Sequence, residues 1–222
     1  MRLMKSQVKG SFPLRTAKAA RTRQAVIGAA ERLFIAHGYV STSVQDVADA
    51  AGVSRATVFN SVGGKPALLR ACYDVATVGD DEPAPLPQRP AMVAVREEPD
   101  ARRSIALYAE VIAGIGSRLS GIYEVFRAAA TTDRDIRRQW DQIQAERLAG
   151  SRRFVDILAA KGALLPGLDP DAAGDVVWVY IDASLYHRLV VERGWSPESF
   201  QDWFSRSLQA LLLGPGTEVD LR

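Results

Sequence analysis

The 222-residue sequence is poor in the side chains from which covalent and metal frameworks are built, with one cysteine, Cys72, and two histidines, His37 and His187. A single thiol excludes an internal disulfide framework, and three such side chains leave little material for a zinc site. The expectation is a cytoplasmic protein in a reducing compartment, with no cofactor and no metal. Long hydrophobic runs are also missing. The densest, DVVWVYIDASLYHRLVV, is broken by Asp182, His187 and Arg188, so no membrane span is expected. The opening stretch MRLMKSQVKGSFPLR carries basic residues but no continuous apolar core, so it does not read as a secretory signal.

What is present is an ordinary globular composition, 47% hydrophobic with a net charge of +2. That is enough to bury a sizeable core in one large domain or two small ones. The charge is uneven. Residues 1–77 hold 11 Lys or Arg against 4 Asp or Glu, a balance of +7, and the remainder carries −5. A basic N-terminal third on a slightly acidic body suits a segment that approaches a polyanion, although a solvated basic tail carries the same signal.

Helical periodicity dominates. In RTRQAVIGAAERLFIAHG, Val26, Ala30, Leu33 and Phe34 form one apolar stripe that Gly38 stops. Thr42 and Gln45 read as a capping box for a second helix over 43–50, with Val44, Val47 and Ala48 inward. Gly52 supplies a tight turn, and Ser54 caps a short third helix, with Val53 and Val58 as a hydrophobic staple. Helix, glycine turn, helix is the helix-turn-helix unit, whose second helix enters a DNA major groove. A plain helical hairpin has the same pattern; the adjacent basic charge favours DNA.

The stretch TRQAVIGAAERLFIAHGYVSTSVQDVADAAGVSRATVFNSVGGKPALL, residues 22–69, resembles the N-terminal domain of the tetracycline-repressor (TetR/AcrR) family of transcriptional regulators. The resemblance implies that Thr42 and Ser43 meet phosphates and that Arg55 and Ala56 face base edges. It further implies that Thr57 touches phosphate or base, that Asn60 reaches backbone or an adenine edge, and that Lys65 meets a phosphate. Ser54 and Phe59 complete the DNA-facing set. The family pattern has Tyr at 59, Tyr or His at 61 and Phe at 62, where this chain has Phe59, Ser61 and Val62. Phe59 keeps a ring but loses the hydroxyl, which puts one phosphate bond in question. The GGK of 63–65 is not a phosphate-binding loop, because Phe59 and Pro66 stand where that motif needs glycine and Ser or Thr. Gly64 reads as a cap and Pro66 as the first turn of a connecting helix.

Prolines at 83, 85, 87, 90 and 99 predict a surface loop without regular helix, and the domain boundary, over 80–100. Beyond it, residues 102–119 and 121–130 each read as helical. A third helical pattern spans 133–161, with Ile136, Trp140, Ile143, Leu148, Phe154 and Leu158 on one side. Residues 176–181 have the composition of a strand, but their context favours a buried helix over 169–194. Ser196 and Pro197 announce a last helix, with Trp195 stapled to Phe200. ASLYHRLVVERGWSPESFQDWF resembles the same family's C-terminal region. That resemblance implies a homodimeric four-helix seam, placed here at Leu185, Leu189, Trp203, Phe204, Leu208, Leu211 and Leu212. It also implies an effector pocket, placed at Tyr108, Ile112, Tyr123, Phe126, Trp140, Ile143 and Trp178, although helical aromatic stripes also make plain core.

Asp182, Ser184 and His187 invite an enzyme reading, yet the i, i+2 spacing points Asp182 away from Ser184, and no nucleophile elbow exists. No catalytic residue is assigned. His187 reads as a satisfied core or interface histidine, Cys72 as a small buried residue, and the arginine pairs 102/103, 137/138 and 152/153 as solvated faces.

The predicted architecture is therefore all-α. A helix-turn-helix three-helix DNA-binding domain (18–65) leads through a connecting helix (66–79) and the Pro-rich loop (80–100) into a ligand-binding and dimerisation bundle (101–213). The expected partners are a double-stranded DNA operator, a small apolar effector and a second copy of the chain, with no membrane. The expected function is a repressor that binds a palindromic operator as a dimer and is released by the effector. The competing reading is a helical ligand-binding or scaffold protein whose DNA-reading face has degenerated.

Overall fold

The structure, a computed structural model, describes residues 12–213, with side chains from residue 16 onward. Residues 1–11, which hold most of the stretch read for a secretory signal, lie outside the described residues. The described chain is helical throughout, with no strand among the described residues. It divides into two compact units that meet in sequence at Asp74 and Val75. That division falls inside a helix, not in the Pro-rich stretch at 80–100.

In the N-terminal unit, α1 spans Phe12–Ser41 and is broken at Gly38, whose φ of 78° and ψ of 167° are not helical. Then come α2 (Val44–Ala51), α3 (Arg55–Ser61) and α4 (Lys65–Val78), which crosses the unit boundary as one helix. Each of α1, α2 and α3 packs on the other two. Val26, Ala30, Phe34, Val47, Ala48 and Val58 are fully buried among them, each large side chain contributing about 1.5 to 3 kcal/mol by leaving water.

The cap of α2 sits one residue later than Thr42 and Gln45 suggest. Ser43 is the N-cap, and its Oγ accepts from the Asp46 N–H while the Asp46 carboxylate accepts from the Ser43 N–H. Thr42 turns inward, and its hydroxyl donates to the carbonyls of Gly38 and Leu33. Gly52, at φ 66°, closes α2 in the left-handed region that a side chain strains.

The C-terminal unit departs from expectation at four places. Residues 80–100 are not a bare loop: a 3-10 turn at Leu86–Gln88 leads into α5 (Pro90–Glu97), whose Val95 is fully buried. Proline is tolerated at the first helical position, and 91–98 contain none, so the prolines frame this helix instead of forbidding it. Residues 102–119 and 121–130 join into one helix, α6 (Ala101–Ala129), because Gly121 alone does not stop a helix whose buried face runs through it. After α7 (Arg134–Ala160), the expected continuous helix over 169–194 is instead α8 (Pro170–Tyr180), α9 (Ala183–Tyr186) and a π-helical segment His187–Glu192. The break has a cause: Asp182 accepts from the Ser184 N–H and so starts a new helix. Finally, α10 (Pro197–Leu212) starts at Ser196 as expected, but Trp195 lies edge-on to Trp203, at 6.2 Å between ring centroids.

By length and composition, α6 is apolar enough to cross a membrane. It carries Arg102, Arg103, Glu110, Arg118 and Glu124, and it packs against α5, α7, α9 and α10 as the core helix of its unit. At Gly116 α9 comes close, since a Cβ there would lie 2.6 Å from the Tyr186 ring.

Candidate nucleic-acid interface and effector cavity

The helix-turn-helix is built by two caps and one glycine, which together set α3 on the surface. Ser54 caps α3 by accepting from the Thr57 N–H, and its hydroxyl lies 2.8 Å from that of Thr57. Val58 is buried and anchors the helix. Arg55, Ala56, Phe59 and Asn60 are consequently exposed, and Thr57 is half-buried. The Arg55 guanidinium rests 5.6 Å from the centroid of the Phe59 ring, so the ring supports the cation.

The remaining expected contacts divide. Ser43 is exposed, but its N–H is occupied by Asp46, whose carboxyl the Ser43 hydrogen bonds hold below the usual range. Thr42 is almost wholly buried with its hydroxyl committed to carbonyls, so it is not offered to a phosphate. Lys65 donates to the Val40 carbonyl at 3.1 Å and sits over the Tyr39 ring, which brings its charge to the start of α2. Cys72 is buried against the Ile27 carbonyl, and burial pushes its thiol pKa up, away from thiolate chemistry.

The aromatics of the C-terminal unit make core and a polar cluster. Tyr108 stacks on Phe154 at 3.8 Å within the hydrophobic core. Tyr123 and Phe126 flank Trp140, at 5.0 and 5.9 Å. Ile143 is buried, while Ile112, Trp140 and Trp178 are half-buried. Arg147 lies against the rings of Tyr123 and Trp178, donates to the Tyr123 hydroxyl and the Trp178 carbonyl, and pairs with Asp182 at 3.2 Å. Burial drives the Asp182 carboxyl pKa up, but Arg147 and the hydrogen bonds from Ser184 and Tyr123 outweigh it, and the net shift is downward. The Trp178 indole Nε1 is buried without a hydrogen-bond partner.

None of the seven expected pocket residues lines a cavity of about 670 Å³ found in this unit. Its walls are Val78, the 80–90 stretch, α5 and the middle of α6: Leu86, Pro90, Ala94, Leu107, Val111 and Ile115 are apolar, and Asp80, Arg89, Glu110 and Arg118 are charged. Arg118 also donates to the carbonyls of Ala76 and Thr77, tying α6 to the end of α4. Sequence reasoning missed this place because it treated 80–100 as loop. The apolar i, i+4, i+8 series Leu107, Val111, Ile115 was its available signal.

The seam residues also separate. Phe204, Leu208 and Leu212 are fully buried in the unit's own core, on the α10 face that repeats every four residues from Phe200. They are therefore not a dimer surface. Trp203, Leu185 and Leu189 are half-buried, and Leu211 is exposed together with Val179, Val191 and Trp195, which the sequence did not single out.

No catalytic arrangement forms at Ser184. Asp182 does reach the Ser184 hydroxyl, contrary to the i, i+2 argument, but as the cap of α9. His187 Nε2 is 3.8 Å from Glu192, and its buried Nδ1 has no partner, so this histidine is not the satisfied one expected. Of the arginine pairs, Arg102 is more than solvated surface, since it exchanges hydrogen bonds with Gln209 of α10.

A family model described as bacterial regulatory proteins, tetR family, matches residues 26–72. No curated protein matches the sequence. Among solved structures, a Syntrophomonas wolfei protein assigned to the TetR family of transcriptional regulators is similar with a TM-score of 0.68 at 15% identity. The match covers 90% of this chain and 98% of that one. SmeT, solved in complex with triclosan, gives 0.67 at 18% identity over 88% and 93%. NalD, the secondary repressor of the MexAB-OprM multidrug efflux pump in Pseudomonas aeruginosa, gives 0.65 at 20% identity over 89% and 98%. At these identities the likeness is one of fold.

Proposed function

The chain belongs, through residues 26–72, to the tetR family of bacterial regulatory proteins, and from that premise we propose that it is a cytoplasmic transcriptional repressor which binds a palindromic operator as a homodimer and leaves it when a small apolar effector binds. The observation that carries the reading is α3, held by the Ser54 cap and Val58 with Arg55, Ala56, Phe59 and Asn60 outward on the basic third of the chain. A helix so presented fits a major groove, with Arg55 suited to guanine O6 and N7. One such helix reads few base pairs, so useful specificity needs two copies about 34 to 36 Å apart. The exposed apolar side chains Val179, Val191, Trp195 and Leu211 support a second copy as the partner. The cavity at Leu107, Val111 and Ile115 supports an effector that is mostly apolar with one or two polar groups.

The test is selection of genomic fragments by the purified protein, followed by affinity measurements across salt concentration. Enrichment of a two-fold symmetric sequence, bound with steep salt dependence, is the expected result. Recovery of fragments without a shared sequence, or weak binding indifferent to salt, would leave the scaffold reading instead.

A further inference from the structure

Beside the reading helix lies a second feature, in the N-terminal unit, that the helix-turn-helix pattern does not include. A cleft of about 520 Å³ separates the early turns of α1 from the end of α3, with Lys18, Thr22 and Arg23 on one wall and Thr57 and Asn60 on the other. Two cations, three hydroxyls and an amide converge there, and no carboxylate lines it among the described residues. Arg23 donates to the Ser61 carbonyl at 2.9 Å, which fixes the α1 wall to the last turn of α3. Lys18 and Asn60 are exposed on opposite walls. The described side chains of the α1 stretch 16–30 include Lys18, Arg21 and Arg23 and no Asp or Glu.

We propose that this cleft seats a backbone phosphate of the operator duplex, so that α1 takes part in DNA binding through Lys18 and Arg23, with Asn60 of α3 on the facing wall. The inference rests on the DNA-binding reading above and extends it to an element outside the helix-turn-helix. When the face of α3 bearing Arg55, Ala56 and Phe59 turns into a groove, its flank bearing Thr57 and Asn60 comes to the groove's edge, where the sugar-phosphate chain runs. An anion entering the cleft meets N–H and O–H donors on both walls and is attracted by two positive charges, with no carboxylate among the described lining residues. Such a contact fixes register and carries no sequence information, so it strengthens binding to every duplex alike.

The experiment compares wild type with Lys18→Gln, Lys18→Glu, Asn60→Asp and Arg55→Ala, using a duplex selected by the purified protein and a scrambled duplex of the same composition. Because Lys18 and Asn60 are exposed, the variants are checked for unchanged helix content first. Lys18→Gln is expected to make the slope of log affinity against log salt shallower by about one per subunit, with equal loss on both duplexes. Lys18→Glu is expected to lose more than Lys18→Gln, and Asn60→Asp to weaken both duplexes alike. A wild-type slope in Lys18→Gln, or undiminished affinity in Asn60→Asp, overturns the cleft. If Arg55→Ala still loses base preference in that case, the regulator reading stands without it. Absence of salt-dependent binding by the wild type removes both.

Discussion

Arg55 owes its position to one ring. Its guanidinium is exposed but rests on Phe59, a shelf that restrains a long side chain before it meets DNA. The lost tyrosine hydroxyl at 59 therefore matters less than the ring that remains. Arg55→Ala is expected to flatten preference at one base pair per half-site, by about 1 to 3 kcal/mol. Phe59→Leu should reduce the same preference by a smaller amount, because the cation stays but its support goes. Operator variants titrated against both proteins check this; equal weakening on every variant would make Arg55 a phosphate contact. In the other unit, Asp182 supports Arg147 in the same way, but with charge. Its depressed carboxyl contributes stability that is present in full above the ordinary aspartate range and is lost as pH falls below about 4. Asp182→Asn should destabilise by roughly 1 to 3 kcal/mol near neutrality, since it leaves a largely buried guanidinium without its counter-charge. The variant should also flatten the acid limb of a thermal-unfolding profile measured from pH 3 to 7 relative to wild type.

Among the elements, α10 shows how one helix grades from core to surface. Phe200, Phe204, Leu208 and Leu212 fill the core, Trp203 is half-buried and packed against it, and Leu211 is exposed. Leu208→Ala is expected to cost about 2 to 5 kcal/mol of stability in a monomer or dimer alike. Leu211→Asp should leave thermal stability of the isolated chain nearly intact and abolish dimerisation, which light scattering reads directly. A dimer persisting in Leu211→Asp would move the seam off this face. Local signals made most of the elements legible from sequence: the Ser54 and Ser196 caps, the Gly52 turn and the buried Val26, Ala30 and Phe34 of α1 are short-range chemistry. What stayed hidden depends on distant partners. Both Phe204 and Trp203 are apolar and adjacent, and only the packing of α10 on α6 decides which is core. Thr42 and Ser43 are equally good caps, and the burial of Thr42 against α1 carbonyls selects Ser43. The cavity beside α6 needed α5, and the prolines that flank that helix disguised it.

At the scale of the whole molecule, regulation requires that effector and operator influence one another. The one element shared by the two units is α4, a helix without interruption from Lys65 to Val78. At its first residue Lys65 binds the Val40 carbonyl, close to the start of α2. At its last turn Ala76 and Thr77 accept hydrogen bonds from Arg118, a wall of the cavity. If a ligand that enters between Val111 and Val78 displaces Arg118 from these carbonyls, it has different affinities for the arrangements with and without that contact. Only such a difference can shift an equilibrium. The expected coupling is about 5 to 150-fold, and by linkage operator DNA must weaken the effector by the same factor. The measurement is a set of apolar compounds titrated into protein alone and into protein saturated with its selected duplex, with operator affinity measured at zero and saturating compound. Val111→Trp, which projects an indole into the cavity, should weaken the response while leaving operator affinity within a few-fold of wild type. Arg118→Ala should keep ligand binding but reduce the coupling, because the tether that the ligand displaces is already gone. If Val111→Trp still responds with full coupling, the effector sits elsewhere, and the half-buried Trp178 with its unpartnered indole N–H becomes the next position to probe.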